Sequence, residues 1–384
     1  MILCQDVITK EMVVDLCNAL EVRFGFRYLF APVRDRHWGG IACISWHGMR
    51  KTEEGTTFLN LNMFSSEYLY VKNLNFPCNE MGARHVGDIF ALCQIAKPEI
   101  GAVLKVGNAH LGEFGSREAI ALAKSELITA LTSGGTAILG TYDEFTPAMK
   151  SADGVKVVTF GERSDCNVRA ADIEIREGRP HFDLVTKDGR AAVGMRLAGL
   201  HQIPNALAAA AISSALGLSV DQIAGALSMA ELASKWRMEI TEANDRLLIN
   251  DSYNANPESM AAALRTLALF AQERGGSAWA VIGKMHELGP SEAADHAAIG
   301  KLVSDLAIDH LVAINMPDYV NDFPKSSDTK VHLLSNKTAA IELLNQIEPG
   351  DVLLVKASRA EHFEEIALEI ASKWQTDAGK KDEE

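Results

Sequence analysis

The sequence predicts an α/β protein with two successive domains, each built on a largely parallel sheet. Short apolar runs alternate with segments of helical period between residues 89 and 139, and the same alternation restarts at residue 247 and continues to residue 355. Alternation at this spacing is typical of parallel strands joined by helices. The chain has 384 residues, which is long enough for two or three domains with separate cores.

Composition limits the classes of partner and compartment. The formal net charge is −14, so a nucleic acid or an anionic membrane is not an expected partner. The cysteines are scattered without a C-x-x-C pair, at Cys4, Cys17, Cys43, Cys78, Cys93 and Cys166. This pattern indicates free thiols in a reducing compartment. No apolar run reaches a membrane span of about 18 residues and no leader is evident, so we expect a cytoplasmic protein, and a monomer.

The first domain is predicted over residues 1–235, with 1–76 as its least regular part. Lys10–Leu20 has the period of a helix, and the aromatic tract after it is more typical of an irregular core than of a ligand platform. The later expected elements are helices at Ile89–Ala96, Arg117–Leu131, Asn205–Leu216 and Val220–Leu227, and strands at Val103–Val106 and Thr136–Leu139. Residues 155–197 predict short strands with turns at Gly161, Gly178 and Gly189.

The second domain is predicted over residues 236–374 as a doubly wound sheet. Its expected strands are Leu247–Asn250, Trp279–Ile282, Leu311–Ile314, Val331–Leu334 and Val352–Val355. The polar segment 375–384 is predicted to be a disordered tail.

The segment Leu247–Pro257 is the strongest candidate for a functional loop. An apolar strand ends in Asn250-Asp251, an Asn-rich loop follows, and Pro257 suits the first turn of a helix. Ligands of α/β sheets usually bind at the carboxyl ends of the strands, where Asp251 is placed. The alternative is an ordinary Asn/Asp turn without a ligand.

Three further candidates occur in the first domain. Glu80, His110 and Lys124 fall at predicted strand ends or on the facing helix, and a carboxylate with an imidazole is a plausible Mg²⁺ ligand set. Each also has a structural interpretation, as a solvated strand end, a loop histidine or an exposed helix lysine.

Several motifs in order carry a resemblance to one family. They are EMGARHVGDI (80–89), GNAHLGEFGS (107–116), AKSEL (123–127), GLHQIPNALAAAA (199–211), RME (237–239), DSYNANPESM (251–260), IGKMHELGP (282–290) and LLVKASRA (353–360). Together they resemble the Mur ligases, over roughly residues 76–372. The resemblance implies an incomplete central ATPase-like domain of the P-loop type, followed by a Rossmann-like carboxyl-terminal domain.

The resemblance also implies a function in peptidoglycan precursor synthesis. The expected reaction is ATP-dependent amide ligation through an acyl phosphate, adding D-alanyl-D-alanine to UDP-N-acetylmuramoyl-tripeptide. A related ligase acting on folate would share the fold, but the wording of 251–260 disfavours it.

The residue roles that the resemblance implies are as follows. Glu80, His110 and a carbamylated Lys124 would bind Mg²⁺. Asn205 would contact the adenine, while Arg237 and Asp251 would bind the nucleotide phosphate and ribose. The residues expected near the peptide and acceptor are Asn254, Asn256, Lys356, Ser358 and Arg359. Lys124, His110 and Arg237 would be the catalytic residues.

One departure from the family pattern qualifies the expected activity. The 384 residues contain no G-K-[ST], the end of the family's phosphate loop, and Thr9–Met12 resembles the residues just after such a loop. We therefore expect a chain truncated at its amino terminus, lacking the domain that binds the UDP part of the substrate. Loss of a phosphate cradle predicts a rate lower by about 10³ or more, and an inactive remnant is the alternative function.

Overall fold

The computed structural model describes residues 2–4, 27–29, 70–72, 79–107, 111–230 and 235–381, with side chains placed over 81–107, 111–230 and 235–376. The predicted helix at Lys10–Leu20, most of the aromatic tract and His110 lie outside the described residues. The chain divides into two compact units. One contains the residues up to Glu174 with His181–Arg196 and Ile203–Ala233, and the other contains Ile175–Pro180, Leu197–Gln202 and Ser234 onward.

The main sheet of the first unit follows the order β10-β9-β8-β7-β6-β5-β1-β4 among the described residues. Its strands are β1 (Ile2–Cys4), β4 (Asn79–Met81), β5 (Ile100–Val103), β6 (Thr136–Gly140), β7 (Lys156–Gly161), β8 (Val168–Arg176), β9 (Arg179–Thr186) and β10 (Gly189–Gly194). A separate antiparallel pair joins β2 (Arg27–Leu29) and β3 (Tyr70–Lys72). From β4 to β8 along this order the neighbouring strands pair in parallel, whereas β9 and β10 form an antiparallel hairpin.

Five α-helices of this unit lie within the described residues. They are α1 (Asp88–Ala96), α2 (Leu111–Phe114), α3 (Arg117–Thr129), α4 (Gln202–Ala215) and α5 (Val220–Met229). The Ser116 hydroxyl accepts the Ala119 N–H at the start of α3, and Ser219 with Gln222 forms a capping box at α5. Helices α1 and α3 bury Ile89, Leu127 and Ile128 against β5 and β6.

The sheet of the second unit has the order β11-β12-β16-β13-β14-β15. Its strands are β11 (Glu239–Ala243), β12 (Arg246–Asn250), β13 (Ala278–Ile282), β14 (His310–Ile314), β15 (Lys330–Leu334) and β16 (Val352–Lys356), and its helices are α6 (Pro257–Arg274), α7 (Glu292–Asp305), α8 (Lys337–Leu343) and α9 (Glu364–Lys381). Helices α6 and α7 cover one face, and α8 and α9 cover the other. The loops after β13 and β16 therefore lead to opposite faces, which is where doubly wound sheets hold ligands.

The structure corrects three expectations. The strand predicted at Val103–Val106 lies at Ile100–Val103, because its register is set by pairing with β6. The second sheet has a sixth strand, β11, antiparallel to β12 at the edge. Its half-exposed sequence EITEA lacks the apolar run of a buried strand. Helix α9 extends to Lys381, past Gln375, where the tail was predicted to begin.

None of the helices in the described part of the chain is long and apolar enough to cross a membrane.

A stack of three rings lies in the second sheet. Trp279 stacks on His310 with ring centroids 3.4 Å apart, and Nδ1 of His310 is 3.3 Å from Nε2 of His332. Burial lowers the pKa of both histidines, and the positive charge of Lys330 adds to the effect. His332 and Asp309 also face His310, as does Asp351. The folded protein therefore favours neutral imidazoles.

This stack predicts a loss of stability in mild acid. Below the ordinary histidine pKa of about 6.5, the unfolded chain binds protons that the folded chain resists, so the free energy of unfolding falls as the pH falls. Denaturant titrations at pH 7.5 and 5.5 measure this slope, and His332→Gln should flatten it. His85→Gln is the control, because His85 is 76% exposed and should leave the slope unchanged. An equal slope in all three proteins would contradict the prediction.

Candidate functional site

The Asn-rich loop after β12 is organised by its own side chains. The Asn250 carboxamide oxygen accepts the Ser252 hydroxyl at 2.7 Å. Asn256 caps α6 by accepting the Ser259 N–H at 2.8 Å, and Pro257 is the first residue of that helix. The predicted order of strand, loop and helix is confirmed. Asn250 and Asn256 stabilise the turn and the cap in the way that the structural alternative supposed.

A buried ion pair fastens this loop to the neighbouring strand β16. The Lys356 ammonium donates to Asp251 Oδ2 at 2.6 Å and to the Asn254 carbonyl at 2.7 Å, with a longer contact to the Asp251 carbonyl at 3.4 Å. The Lys356 side chain is only 2% exposed. All three ammonium protons are directed at protein oxygens, so in this structure Lys356 positions the loop and presents no open surface to a substrate.

Asp251 also holds the segment that precedes β11. Its Oδ1 accepts the Met238 N–H at 3.0 Å. The Trp236 carbonyl accepts the Tyr253 N–H at 2.9 Å, which joins the two loops a second time. Trp236 and Met238 both have positive φ, at 65° and 50°. This unusual backbone is held by the surrounding bonds and fixes the direction of Arg237 between them.

Two arginines lie on aromatic faces in this region. The Arg237 guanidinium is 3.9 Å from the centroid of Tyr253, and that of Arg359 is 4.4 Å from the centroid of Trp236. Each contact contributes about 0.5–2 kcal/mol and leaves the guanidinium edge available for anions. Within the described residues, Arg237 Nε is buried and has no hydrogen-bond acceptor. A donor of this kind suits a phosphate or carboxylate oxygen.

Arg359 is also tied to the start of α9. Its Nη1 is 2.6 Å from Glu364 Oε1. Burial acts to raise the pKa of Glu364, but the hydrogen bond and charge of Arg359 outweigh it and hold that pKa below its usual value. The Arg359 side chain remains 43% exposed, so it can contact a ligand while keeping this pair.

The Ser358 hydroxyl joins three strand ends. It accepts the His286 N–H at 2.9 Å and donates to the Ala255 carbonyl at 3.3 Å. These partners belong to the loops after β13 and β12, while Ser358 itself follows β16. The Ser358 hydroxyl therefore links the three loops and sets the distances between them.

Two buried side chains, Tyr319 and His296, also fix the loop after β13. Tyr319 donates its hydroxyl to the Gly283 carbonyl at 2.6 Å, and Nε2 of His296 accepts the Met285 N–H at 3.0 Å. Nδ1 of His296 is 2.7 Å from the Glu292 carbonyl, which assigns its proton to Nδ1. Beside these residues, Nε2 of His286 lies 2.6 Å from Glu361 Oε1.

The candidates in the first unit are only partly described. Lys124 on α3 is buried, and its ammonium donates to the Lys105 carbonyl at 3.0 Å. Glu80 lies in β4, opposite Leu3 of β1, and Asn205 is buried on α4. The Glu80 side chain and all of His110 lie outside the described residues. Among the described side chains, no group of three or more carboxylates, imidazoles and thiols could hold a metal.

Asp143 organises the segment after β5 that Lys124 contacts. Its carboxylate accepts the Val106 N–H at 2.9 Å and the Thr146 hydroxyl at 2.7 Å. Arg117 donates to the Val106 carbonyl at 3.1 Å and pairs with Glu144 at 2.9 Å. These contacts fix the backbone beside Lys105, the acceptor of the Lys124 ammonium.

Two family profiles match most of the chain. The Mur ligase middle domain matches residues 44–213, and the glutamate ligase domain of Mur ligases matches residues 236–359. The chain belongs to the Mur ligase family. The predicted α/β fold class is confirmed with it.

Individual relatives agree with this family. The chain is 39% identical to the UDP-N-acetylmuramoyl-tripeptide–D-alanyl-D-alanine ligase of Mycobacterium tuberculosis H37Rv over 303 residues, which are 73% of this chain and 59% of the relative. A crystal structure of MurF from Acinetobacter baumannii superposes with a TM-score of 0.69 at 32% identity, covering 77% of this chain and 64% of that one. MurF from Thermotoga maritima in complex with ADP gives a TM-score of 0.66 at 28% identity, covering 78% and 67%.

Four side chains of this candidate site were not predicted from the sequence. Trp236 and Tyr253 provide the aromatic faces for the arginines, and His286 and Glu361 form a pair across two loops. His286 and Glu361 are 75 positions apart. The sequence offered one signal for the pair: His286 lies within the motif 282–290, and Glu361 directly follows the motif 353–360.

The buried pair predicts a large effect of removing Lys356. Lys356→Met leaves the Asp251 carboxylate without its cation and should lower the free energy of opening β12 and α6 by about 3 kcal/mol. Native-state hydrogen exchange of these elements measures that free energy. Lys301→Met removes an exposed pair with Asp305 and should change it by less than about 0.5 kcal/mol. Adding Asp251→Asn to Lys356→Met should recover part of the loss, and no recovery would argue against the pair as its cause.

Proposed function

We propose that this chain is an ATP-dependent amide ligase that adds D-alanyl-D-alanine to UDP-N-acetylmuramoyl-tripeptide. The observation that carries the proposal is the group of strand-end loops in the second unit, with Arg237 and Arg359 directed by aromatic faces and three loops joined at Ser358. Relatives 39% and 32% identical bear the name of that ligase and support the choice of substrates. The chain spans 59% of the length of the first of them.

Two residues support the proposed nucleotide contacts. Bound ATP would supply the phosphoryl group that activates the terminal carboxylate of the tripeptide. Arg237 would donate its buried Nε–H to a phosphate oxygen, a bond that no described residue now satisfies. Asp251 has each carboxylate oxygen engaged once by protein donors, and its remaining lone pairs can accept ribose hydroxyls. We assign the adenine contact to Asn205.

The metal assignment depends on the chemistry of Lys124. As an ammonium it donates to the Lys105 carbonyl and offers no lone pair to a cation. A carbamate on the same nitrogen would present oxygens, which Mg²⁺ prefers. We therefore assign Mg²⁺ to carbamylated Lys124 with Glu80 and His110, where it would neutralise charge on the phosphates.

Some of the residues assigned to the peptide and acceptor would contact them directly, and others would hold the loop that does. The exposed Arg359 guanidinium suits a carboxylate, and the exposed side chain of Asn254 can hydrogen-bond a peptide. Ser358 lies between these loops. Lys356 and Asn256 act on the substrate through the loop they hold, because one is buried in its ion pair and the other caps α6.

The compartment and assembly belong to the same proposal. We assign the chain to the cytoplasm as a monomer, with no nucleic acid or membrane partner. The free thiols of Cys93 and Cys166 support the compartment, and the net charge of −14 supports the absence of a nucleic-acid partner.

The proposal predicts phosphate release that requires every substrate. The purified 384-residue chain is given ATP, Mg²⁺, UDP-N-acetylmuramoyl-tripeptide and D-alanyl-D-alanine, and orthophosphate is measured over time. The rate expected for these 384 residues is about 10³-fold lower than that of ligases with a G-x-x-G-K-[TS] loop. Release should stop when any substrate is omitted, and Lys124→Ala should abolish it.

A second variant separates binding from chemistry in this assay. Arg237→Ala should raise the KM for ATP, because it removes a phosphate donor. Arg163→Ala is the control, since the exposed Arg163 pairs with the exposed Asp165 two positions along the chain. Release by the wild type that is no faster than release by Lys124→Ala, from folded protein, would overturn the proposal.

A further inference from the structure

His286 is held at the carboxyl edge of the second sheet by a rigid backbone. Its own N–H is bound by Ser358, and the preceding Met285 N–H is bound by the buried His296. The Lys284 carbonyl accepts the Ser358 N–H at 3.0 Å, and the Gly283 N–H donates to the Lys356 carbonyl at 3.0 Å. Each of four consecutive residues is thus fixed, and the imidazole extends from a defined position.

Glu361 is placed opposite by the turn after β16. The 3-10 turn Arg359–Glu361 is closed by the Glu361 N–H donating to the Ser358 carbonyl at 2.9 Å. His362 then takes a left-handed conformation, with φ 54°, which ends the turn. Ser358 therefore fixes both members of the pair, His286 through its hydroxyl and Glu361 through its carbonyl.

The pair has the geometry of an oriented base. A carboxylate only accepts hydrogen bonds, so Nε2 of His286, 2.6 Å away, must carry the proton. Nδ1 of the neutral ring then keeps its lone pair, and it makes no hydrogen bond to any described residue. The His286 side chain is 39% exposed, so that nitrogen is accessible. A carboxylate behind an imidazole orients the ring and stabilises the imidazolium that forms when it takes a proton.

Other charged groups near the pair are already engaged or lie on its margin. Lys284 of the same loop pairs with Glu292 of α7 at 2.7 Å. From the turn after β16, Arg359 pairs with Glu364, and His362 lies 3.5 Å from the same carboxylate. Glu287 follows His286 directly with φ 64°. His286 is the histidine of this group that has a dedicated carboxylate on one nitrogen and an open second nitrogen.

We propose that His286, oriented by Glu361, is the base that removes the proton from the attacking amine of the acceptor. This inference rests on the proposed ligase function. The amine nitrogen forms the new C–N bond at the carbonyl carbon of the acyl phosphate, and its proton passes to Nδ1 of His286. The C–O bond to the phosphate then breaks, and orthophosphate leaves with the electron pair. The imidazolium, stabilised by Glu361, returns the proton to solvent.

The test compares two acceptors with the same activated peptide. Hydroxylamine is largely unprotonated near neutral pH, so it traps an acyl phosphate as a hydroxamate without a base. D-alanyl-D-alanine has an ordinary α-amine, with a pKa of about 8, and needs one. Wild type, His286→Gln and Glu361→Gln are assayed for both products with ATP, Mg²⁺ and UDP-N-acetylmuramoyl-tripeptide.

His286→Gln should lower kcat for D-alanyl-D-alanine by about 10²-fold or more while hydroxamate formation stays within about twofold. Glu361→Gln should show a smaller loss in the same direction. His362→Asn is the matched control, because His362 lies in the same turn and asparagine tolerates its left-handed backbone; both of its products should match the wild type.

The remaining outcomes each overturn the inference. Equal ligation by His286→Gln and wild type would show that His286 is not the base. Parallel loss of hydroxamate and ligation would show that the pair only supports the loops. A wild type that forms neither product would overturn the proposed ligase function and the inference with it. The wild-type assay alone shows this outcome, so it is distinguishable from a result that depends on the His286 variant.

Discussion

The buried ammonium of Lys356 constrains the whole functional edge of the second unit. A lysine that is 2% exposed must have its charge neutralised and its protons accepted, or the protein pays a desolvation penalty of several kcal/mol. The loop after β12 supplies every acceptor, through Asp251 and the Asn254 carbonyl. That loop cannot move from β16 without exposing or orphaning the charge. Asp251 extends the constraint to Met238 and so to the segment that carries Arg237.

Around this pair, hydrogen bonds fix the backbone of the loops and leave some side chains able to bind a ligand. The side chains of Ser358, His296 and Tyr319 hydrogen-bond backbone groups of the loops after β12 and β13. The arginines instead lie on aromatic rings, which position a guanidinium without using all of its N–H donors. A rigid frame with unsaturated donors is the arrangement that electrostatic stabilisation of a charged transition state needs, since little reorganisation is left for the reaction.

Sequence patterns predicted the parts of this fold that are decided locally. The five parallel strands of the second sheet were located to within a residue at each end, because each contains a short, largely apolar run, which is buried on both faces in β12, β13, β14 and β16. Edge strand β11 was missed because EITEA is half-exposed. The strand at Ile100–Val103 was misplaced because IGAVLKV offers several apolar registers, and pairing with β1 and β6 selects one.

The sequence predicted the residues of the candidate site within each loop, but not the contacts between loops. Asp251, Arg237 and Ser358 were found through motif wording, but their partners depend on strand order. Placing β16 between β12 and β13 makes neighbours of residues 105 positions apart, Lys356 and Asp251, and 75 apart, His286 and Glu361. Nothing in a local pattern states that order. Once the order is known, a polar residue directly after any of these three strands must lie near the other two, and its chemistry has to be judged together with theirs.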